Sequence, residues 1–244
     1  MKKIQLAAVA FILVGFTSLQ AQWGTKNISG NGQVITKTIQ TSDYDGLSVG
    51  GNFYVTIVEG HTGTITLKGE SNLLEEVIVE VEGNSLQIKT DNKVNLKPSR
   101  GMKIEVTVPA SQLSRISLAG SGEIKNGFNL KSDQLSVRLA GSGSIKLNLQ
   151  TTELDTSVAG SGNMFLNGLA AQLKGSISGS GTVDAYRLKA ENASISIAGS
   201  GHYNVNCSGE LKARVSGSGN INYKGKPDKV DSRVAGSGKI LSAN

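Results

Sequence analysis

The chain is poor in the residues that cross-link, coordinate or stack. It contains one cysteine, Cys207, together with three prolines and two histidines. A lone thiol closes no internal disulfide, so packing and backbone pairing must hold the fold. Cys207 itself reads as a small buried apolar residue. With only His61 and His202 besides that thiol, the sequence offers no metal-ligand cluster, and no cofactor is expected. Aromatic residues are 5% of the chain, and the 25 basic and 19 acidic residues are scattered along it. A nucleic-acid-binding protein would gather its basic residues on one face with aromatics between them, so no nucleic-acid partner is expected. Beyond the first stretch no apolar run approaches the length of a membrane span.

That first stretch has its own pattern. Lys2 and Lys3 precede an apolar run from Ile4 to Phe16, and small and polar residues follow up to Gln22. This is the charged, apolar, small-residue order of a secretory signal peptide over residues 1–21, with cleavage expected after Ala21. No cysteine lies near that point, which argues against a lipoprotein anchor. Export to the periplasm, outer surface or exterior is the expected fate.

Glycine is abundant, at 31 residues, and it is ordered. Seven Gly-Ser-Gly triplets occur: Gly120-Ser121-Gly122, Gly141-Ser142-Gly143, Gly160-Ser161-Gly162, Gly179-Ser180-Gly181, Gly199-Ser200-Gly201, Gly217-Ser218-Gly219 and Gly236-Ser237-Gly238. Their starts are 21, 19, 19, 20, 18 and 19 residues apart, and such a fixed period marks a solenoid or array. Two places before each triplet stands Leu118, Leu139, Val158, Ile177, Ile197, Val215 or Val234. Four places after its first glycine stands Ile124, Ile145, Met164, Val183, Tyr203, Ile221 or Ile240. These even offsets are the strand period. Three places before the triplets most residues are polar, as at Arg138, Ser157, Ser176, Ser196, Arg214 and Arg233.

Each unit therefore reads as strand, glycine corner, strand and connection. About 19 residues leave no room for a helix in each unit, and no convincing helical period follows Gln22. The Leu/Asn framework of leucine-rich repeats and the regular Asp of calcium β-rolls are absent, and propeller blades need about 40 residues. A β-helix rung fits. The triplet glycines are its structural corners, where the chain turns and neighbouring backbones crowd together. The serines should stack in a ladder. Strict alternation points them outward, but a corner can break parity, and both sides stay open.

Residues 33–111 lack the triplet but alternate as strands, with a hairpin signal around Glu82-Gly83-Asn84. Gly50 and Gly51 stand where a degenerate corner would lie. The expected organisation is a lead-in strand or tail over 22–42 and one β-helix domain over 43–244. Within that domain, 43–116 form irregular first rungs and 117–244 carry the repeat.

The stretches 44–60 ("YDGLSVGGNFYVTIVEG"), "LQIKT", "KIEVTVP", 113–124 ("LSRISLAGSGEI") and the later triplets resemble a family of exported bacterial proteins, the auto-transporter adhesin head GIN domain family. The resemblance covers roughly residues 44–240. It implies an all-β fold, a right-handed, largely parallel single-stranded β-helix, in a cell-envelope or secreted setting. It implies no established activity and brings no catalytic residues.

The residues themselves give little chemistry. A hydrolase elbow needs a single Gly-x-Ser-x-Gly with a histidine and an acid, whereas the triplet is tighter and recurs seven times. The stretch ending at Lys239 lacks the spacing of a phosphate loop. Asp155 and Asp231 share a column but lie four rungs apart, too far for paired catalytic carboxylates. The chain thus reads as a non-enzymatic envelope protein that presents a polar face to a glycan or protein partner. The candidate face combines Ser121, Ser142, Ser161, Ser180, Ser200, Ser218 and Ser237 with the column Glu123, Ser144, Asn163, Thr182, His202, Asn220 and Lys239. Equally, these rows read as plain solvated turns. A polysaccharide lyase or hydrolase is the alternative, and it demands converging acids in a cleft. Val234, Ile240 and Leu241 sit near an open C-terminal end where a second copy could associate.

Overall fold

The computed structural model describes residues 26–243. The signal-peptide segment and its cleavage point lie outside the described residues. The fold is 69% strand and 2% helix, and parallel strands about 19 residues apart stack into a β-solenoid of about seven turns.

The triplet intervals are the stacking register. Arg115 pairs with Ser136, Ser136 with Asp155, Asp155 with Lys174 and Lys174 with Ser194. Lys212 and Asp231 continue the same column. Every rung carries a pre-triplet strand, the corner and a post-triplet strand. Leu118, Leu139, Val158, Ile177, Ile197 and Val215 point inward before the corner and are fully buried. Ile124, Ile145, Met164, Val183, Tyr203 and Ile221 do the same after it.

A second corner in each rung was not apparent from the sequence. Inward positions run through Leu147, Leu149 and Thr151, then switch parity to Leu154, Thr156 and Val158. The switch falls at Thr152-Glu153, and again at Ala171-Gln172 in the next rung. A one-residue change of parity exchanges the two faces of a strand, so this corner turns the chain without left-handed backbone.

One inward site shows how the rungs fit each other. Tyr203 is fully buried, and its hydroxyl lies 3.0 Å from Thr156 Oγ1. Its ring occupies space that a side chain at position 175 would need, since a Cβ on Gly175 would lie 2.5 Å from Tyr203 Cε2.

The N-terminal part departs from simple chain order. The strand Gly46–Gly50 is covered on one side by Arg115–Gly120 and on the other by Ser85–Lys89. Tyr54–Val58 lies likewise between Glu123–Asn126 and Glu105–Pro109. Chain that comes later in sequence thus forms the layer beneath the first rung. Gly50 and Gly51 do occupy the corner, and Gly51 has φ +127°. Antiparallel strands close this end: Thr64–Glu70 on Glu105–Pro109, and Val34–Gln40 on Thr64–Glu70. The single helical turn, Ser71–Leu74, buries Leu73 and Leu74 there. Ile78–Glu82 and Ser85–Lys89 make the expected hairpin, with Gly83 and Asn84 both at positive φ. Glu70 is buried and accepts hydrogen bonds from Gly32 N at 2.7 Å, Ser99 N at 2.8 Å and Ser99 Oγ at 2.6 Å. These bonds, led by the Ser99 hydroxyl, hold its carboxyl below the usual carboxylate range.

Candidate functional site

The two glycines of a triplet are needed for different reasons. The first has φ between +109° and +132° in all seven copies. The second has ordinary backbone but no room. A Cβ on Gly181 would lie 2.6 Å from Val158 Cγ1 and 2.8 Å from Gly162 O. The corners stack through backbone hydrogen bonds such as Ser180 N to Gly160 O at 2.9 Å and Thr182 N to Gly162 O at 3.0 Å.

The seven triplet serines, from Ser121 to Ser237, are all exposed and form an outward ladder. The next column outward is continuous as well. Thr182, His202 and Asn220 are in register, and Asn220 Nδ2 lies 3.5 Å from His202 Nδ1. Asn163 pairs with Thr182 in the rung before. The structure thus brings the sequence-predicted face together as a regular polar edge along a corner.

The concave surfaces lie elsewhere. One groove of about 610 Å³ follows the second corner, with Glu153, Asp155, Lys174, Asn192, Ser194 and Lys212 along it and Leu154, Leu173 and Ala193 beneath. Glu210 at its end bonds Lys229 at 3.1 Å, which with nearby Lys212 holds its carboxyl below the ordinary range. A second groove of about 610 Å³ covers the pre-triplet face, over Ser157, Ser176, Ser196 and Ala198, with Arg214 and Arg233 at one end. Arg214 is committed to Asp231, which accepts from its guanidinium through both the carboxylate and the backbone carbonyl.

A third groove, of about 400 Å³, lies on the post-triplet face. Its floor is an amide ladder. Asn126 Nδ2 donates to Asn148 O at 3.0 Å, Asn148 N donates to Asn126 Oδ1 at 2.8 Å, and Asn167 Nδ2 donates to Asn148 Oδ1 at 2.9 Å. Phe165, Lys146, Asp184 and Arg187 complete it. Phe165 is 43% exposed. These residues were not singled out from the sequence, because they depart from the repeat. The one available signal was an aromatic at an outward strand position.

Asp155 and Asp231 do share a column with Lys174, Ser194 and Lys212 between them. Cys207 is buried, and its thiol donates toward Glu191 O and Glu210 O. Burial pushes that thiol up. Among the described residues no group of three His, Cys, Asp or Glu side chains is placed to hold a metal ion. Among them, too, no helix is long and apolar enough to cross a membrane.

The family model "Putative auto-transporter adhesin, head GIN domain" matches residues 43–227. No curated protein matches the chain. Among solved structures, a "putative adhesin" from Bacteroides fragilis NCTC 9343 is 24% identical, with a TM-score of 0.80 over 88% of this chain and 99% of that one. A "Putative lipid binding protein" from Parabacteroides distasonis ATCC 8503 is 26% identical, with a TM-score of 0.75 over 90% of this chain and 100% of that one. A "putative adhesin" from Parabacteroides merdae ATCC 43184 is 23% identical, with a TM-score of 0.70 over 89% and 99%.

Proposed function

The chain belongs to the auto-transporter adhesin head GIN domain family, and on that premise we propose that it is a non-enzymatic, exported binding module of the cell envelope. The observation that carries this reading is the groove along the second corner. It presents amide, hydroxyl, ammonium and carboxylate groups in register over four successive strands, from Asp155 through Lys174 and Ser194 to Lys212. Successive rungs repeat every ~4.8 Å, so an extended polymer lying along the solenoid meets one set of polar groups per rung. A glycan, or an extended segment of an envelope protein, has that shape. The outward ladder of Ser121 to Ser237, with Asn163, Thr182, His202 and Asn220 beside it, supplies a second polar edge for the same kind of partner. A glycan array run beside a turnover assay on envelope polysaccharides tests the reading. Retention of glycans without cleavage is the expected result. Processive cleavage would replace it with the polysaccharide lyase or hydrolase alternative.

Self-association is favoured by a separate observation. Among the described residues the strand Lys229–Ala235 pairs only with Glu210–Gly217. Val230 and Val234 on it are 41% and 43% exposed. Two copies paired antiparallel about Ser232 would set Val230 against Val234 and Asp231 against Arg233. Apolar groups would then meet apolar groups and opposite charges would face each other. Light scattering should show a dimer that Val234→Lys abolishes. A monomer at every concentration would rule the pairing out.

A further inference from the structure

We propose that the groove on the post-triplet face, centred on Phe165, is a binding site for an acidic polysaccharide. The proposal rests on the binding-module reading and names the ligand class of one site. Outward residues in register place Lys146 on one side of Phe165 and Asp184 on the other. One outward position along, Asn148, Asn167 and Arg187 form the next row. The strand Thr182–Gly199 carries an extra residue here, because its register on the preceding rung shifts between Phe165 and Asn167. Bulges of this kind re-aim side chains beside functional sites. This one sets Arg187 outward, level with Asn167.

The charge around the ring is mostly positive. Lys125 flanks Lys146 in register, and Lys189 flanks the 48% exposed Leu169. Among the described residues Lys125, Arg187 and Lys189 form no ion pair, and Lys146 shares Glu123 at 3.1 Å. Asp184 directs one oxygen to Tyr186 N at 3.1 Å. Unpaired cations beside an open aromatic face call for an anion that also has an apolar face. A uronic acid has both. The C–H face of its pyranose ring packs on the negative face of Phe165, while its carboxylate meets the Arg187 guanidinium in the bidentate geometry Arg favours. Asn167 retains an amide N–H and its carbonyl lone pairs for sugar hydroxyls.

Shape separates this ligand from an anionic bilayer. A membrane-binding surface pushes its apolar side chains into the headgroup region from a projecting face. Phe165 instead lines a concave groove, where the spare amide N–H and the carbonyl of Asn167 would find no partner against acyl chains.

The test is titration of the whole chain with size-defined oligogalacturonate and oligoalginate, with a neutral dextran oligomer of equal length and phosphatidylglycerol vesicles as the other arms. The uronates should bind, more weakly as salt is raised. Phe165→Ala and Arg187→Ala should each weaken binding about tenfold, equivalent to ~1.4 kcal/mol, with unchanged circular dichroism. Lys37→Ala, on the capped end, should bind as the parent does. Failure of both uronates to bind, or equal affinity in both variants, overturns the proposal, as does binding to the vesicles alone. A neutral glycan bound with no effect of Phe165→Ala would refute this site and leave the binding-module reading standing. Cleavage of the bound uronate would refute that reading instead.

Discussion

Gly179→Ala adds one methyl group to a central corner, and its cost can be worked from the geometry. Gly179 has φ +119°, a region essentially reserved for glycine, where another residue costs about 1–3 kcal/mol. The new Cβ would lie 2.6 Å from Gly160 O and 3.2 Å from both Gly160 N and Gly160 C. These are backbone atoms, so no rotamer relieves the contact. Moving Gly160 O away weakens the 2.9 Å bond it accepts from Ser180 N, worth about 0.5–1.5 kcal/mol. The stiffer unfolded chain returns about 0.4–1 kcal/mol. The net is a loss of about 0.5–4 kcal/mol, or roughly 1–16 °C in melting temperature for a chain of this size. Ser180→Ala, one residue away, removes an exposed hydroxyl and should stay within about 0.5 kcal/mol of the parent. Urea and thermal unfolding followed by circular dichroism measure both. Matching midpoints for the two variants would refute the view that the triplet glycines are corners.

Gly175→Ala should cost about 1–3 kcal/mol by overpacking against Tyr203, and a Tyr203→Val background should recover part of that. Strictly additive urea midpoints would show that the two positions do not share space. Glu70 has a depressed folded pKa, so its contribution to stability is present above the unfolded carboxyl value of 4.5 and is lost as pH falls through and below it. The protection factor at Gly32 N, its exchange rate measured against the intrinsic rate at the same pH, should therefore fall on acidification, and Glu70→Gln should remove that dependence. Tyr44 is pushed up to about 12 by burial and by Asp43, and its hydroxyl donates to Pro109 O at 2.6 Å. Folding therefore loses stability as pH rises above 10, and Tyr44→Phe should flatten the alkaline limb of a stability-pH curve.

The repeat region was legible almost residue by residue, because in a solenoid the sequence interval is the stacking register. The even offsets put Leu118 and Ile124 on one face, but they leave the side of Ser121 open, because a corner can break parity; the structure turns it outward. The second corner was hidden. It turns by a parity switch at Thr152-Glu153 and Ala171-Gln172, and these pairs have no residue type in common. The N-terminal layering was hidden for another reason. Ser85–Lys89 and Arg115–Gly120 contact opposite edges of the same strand, Gly46–Gly50, and alternation alone cannot order strands that come from non-adjacent stretches. The groove around Phe165 is built from residues that do not recur, so no periodicity in the sequence marks it.

The contrast between recurring and non-recurring positions has a physical basis, and it bears on where function sits. A residue recurs in every rung when the architecture leaves no alternative, as at Gly179 and Gly181, where positive φ and a neighbouring carbonyl exclude any side chain. Outward positions along the strands carry no such demand, since most exposed substitutions change stability by about 0.5 kcal/mol or less; the triplet serines recur although exposed, each held between two constrained glycines. The column through Phe165 reads Lys125, Lys146, Phe165, Asp184, Asn204, Asn222 and Leu241. It mixes cation, aromatic, anion, amide and aliphatic groups on one stack. The serine ladder, by contrast, offers an identical hydroxyl at each step and can tell one partner from another only by length. A surface that discriminates among ligands needs different groups at successive rungs. The heterogeneous column is therefore the better place for specificity, and the triplets are the frame that holds it in register.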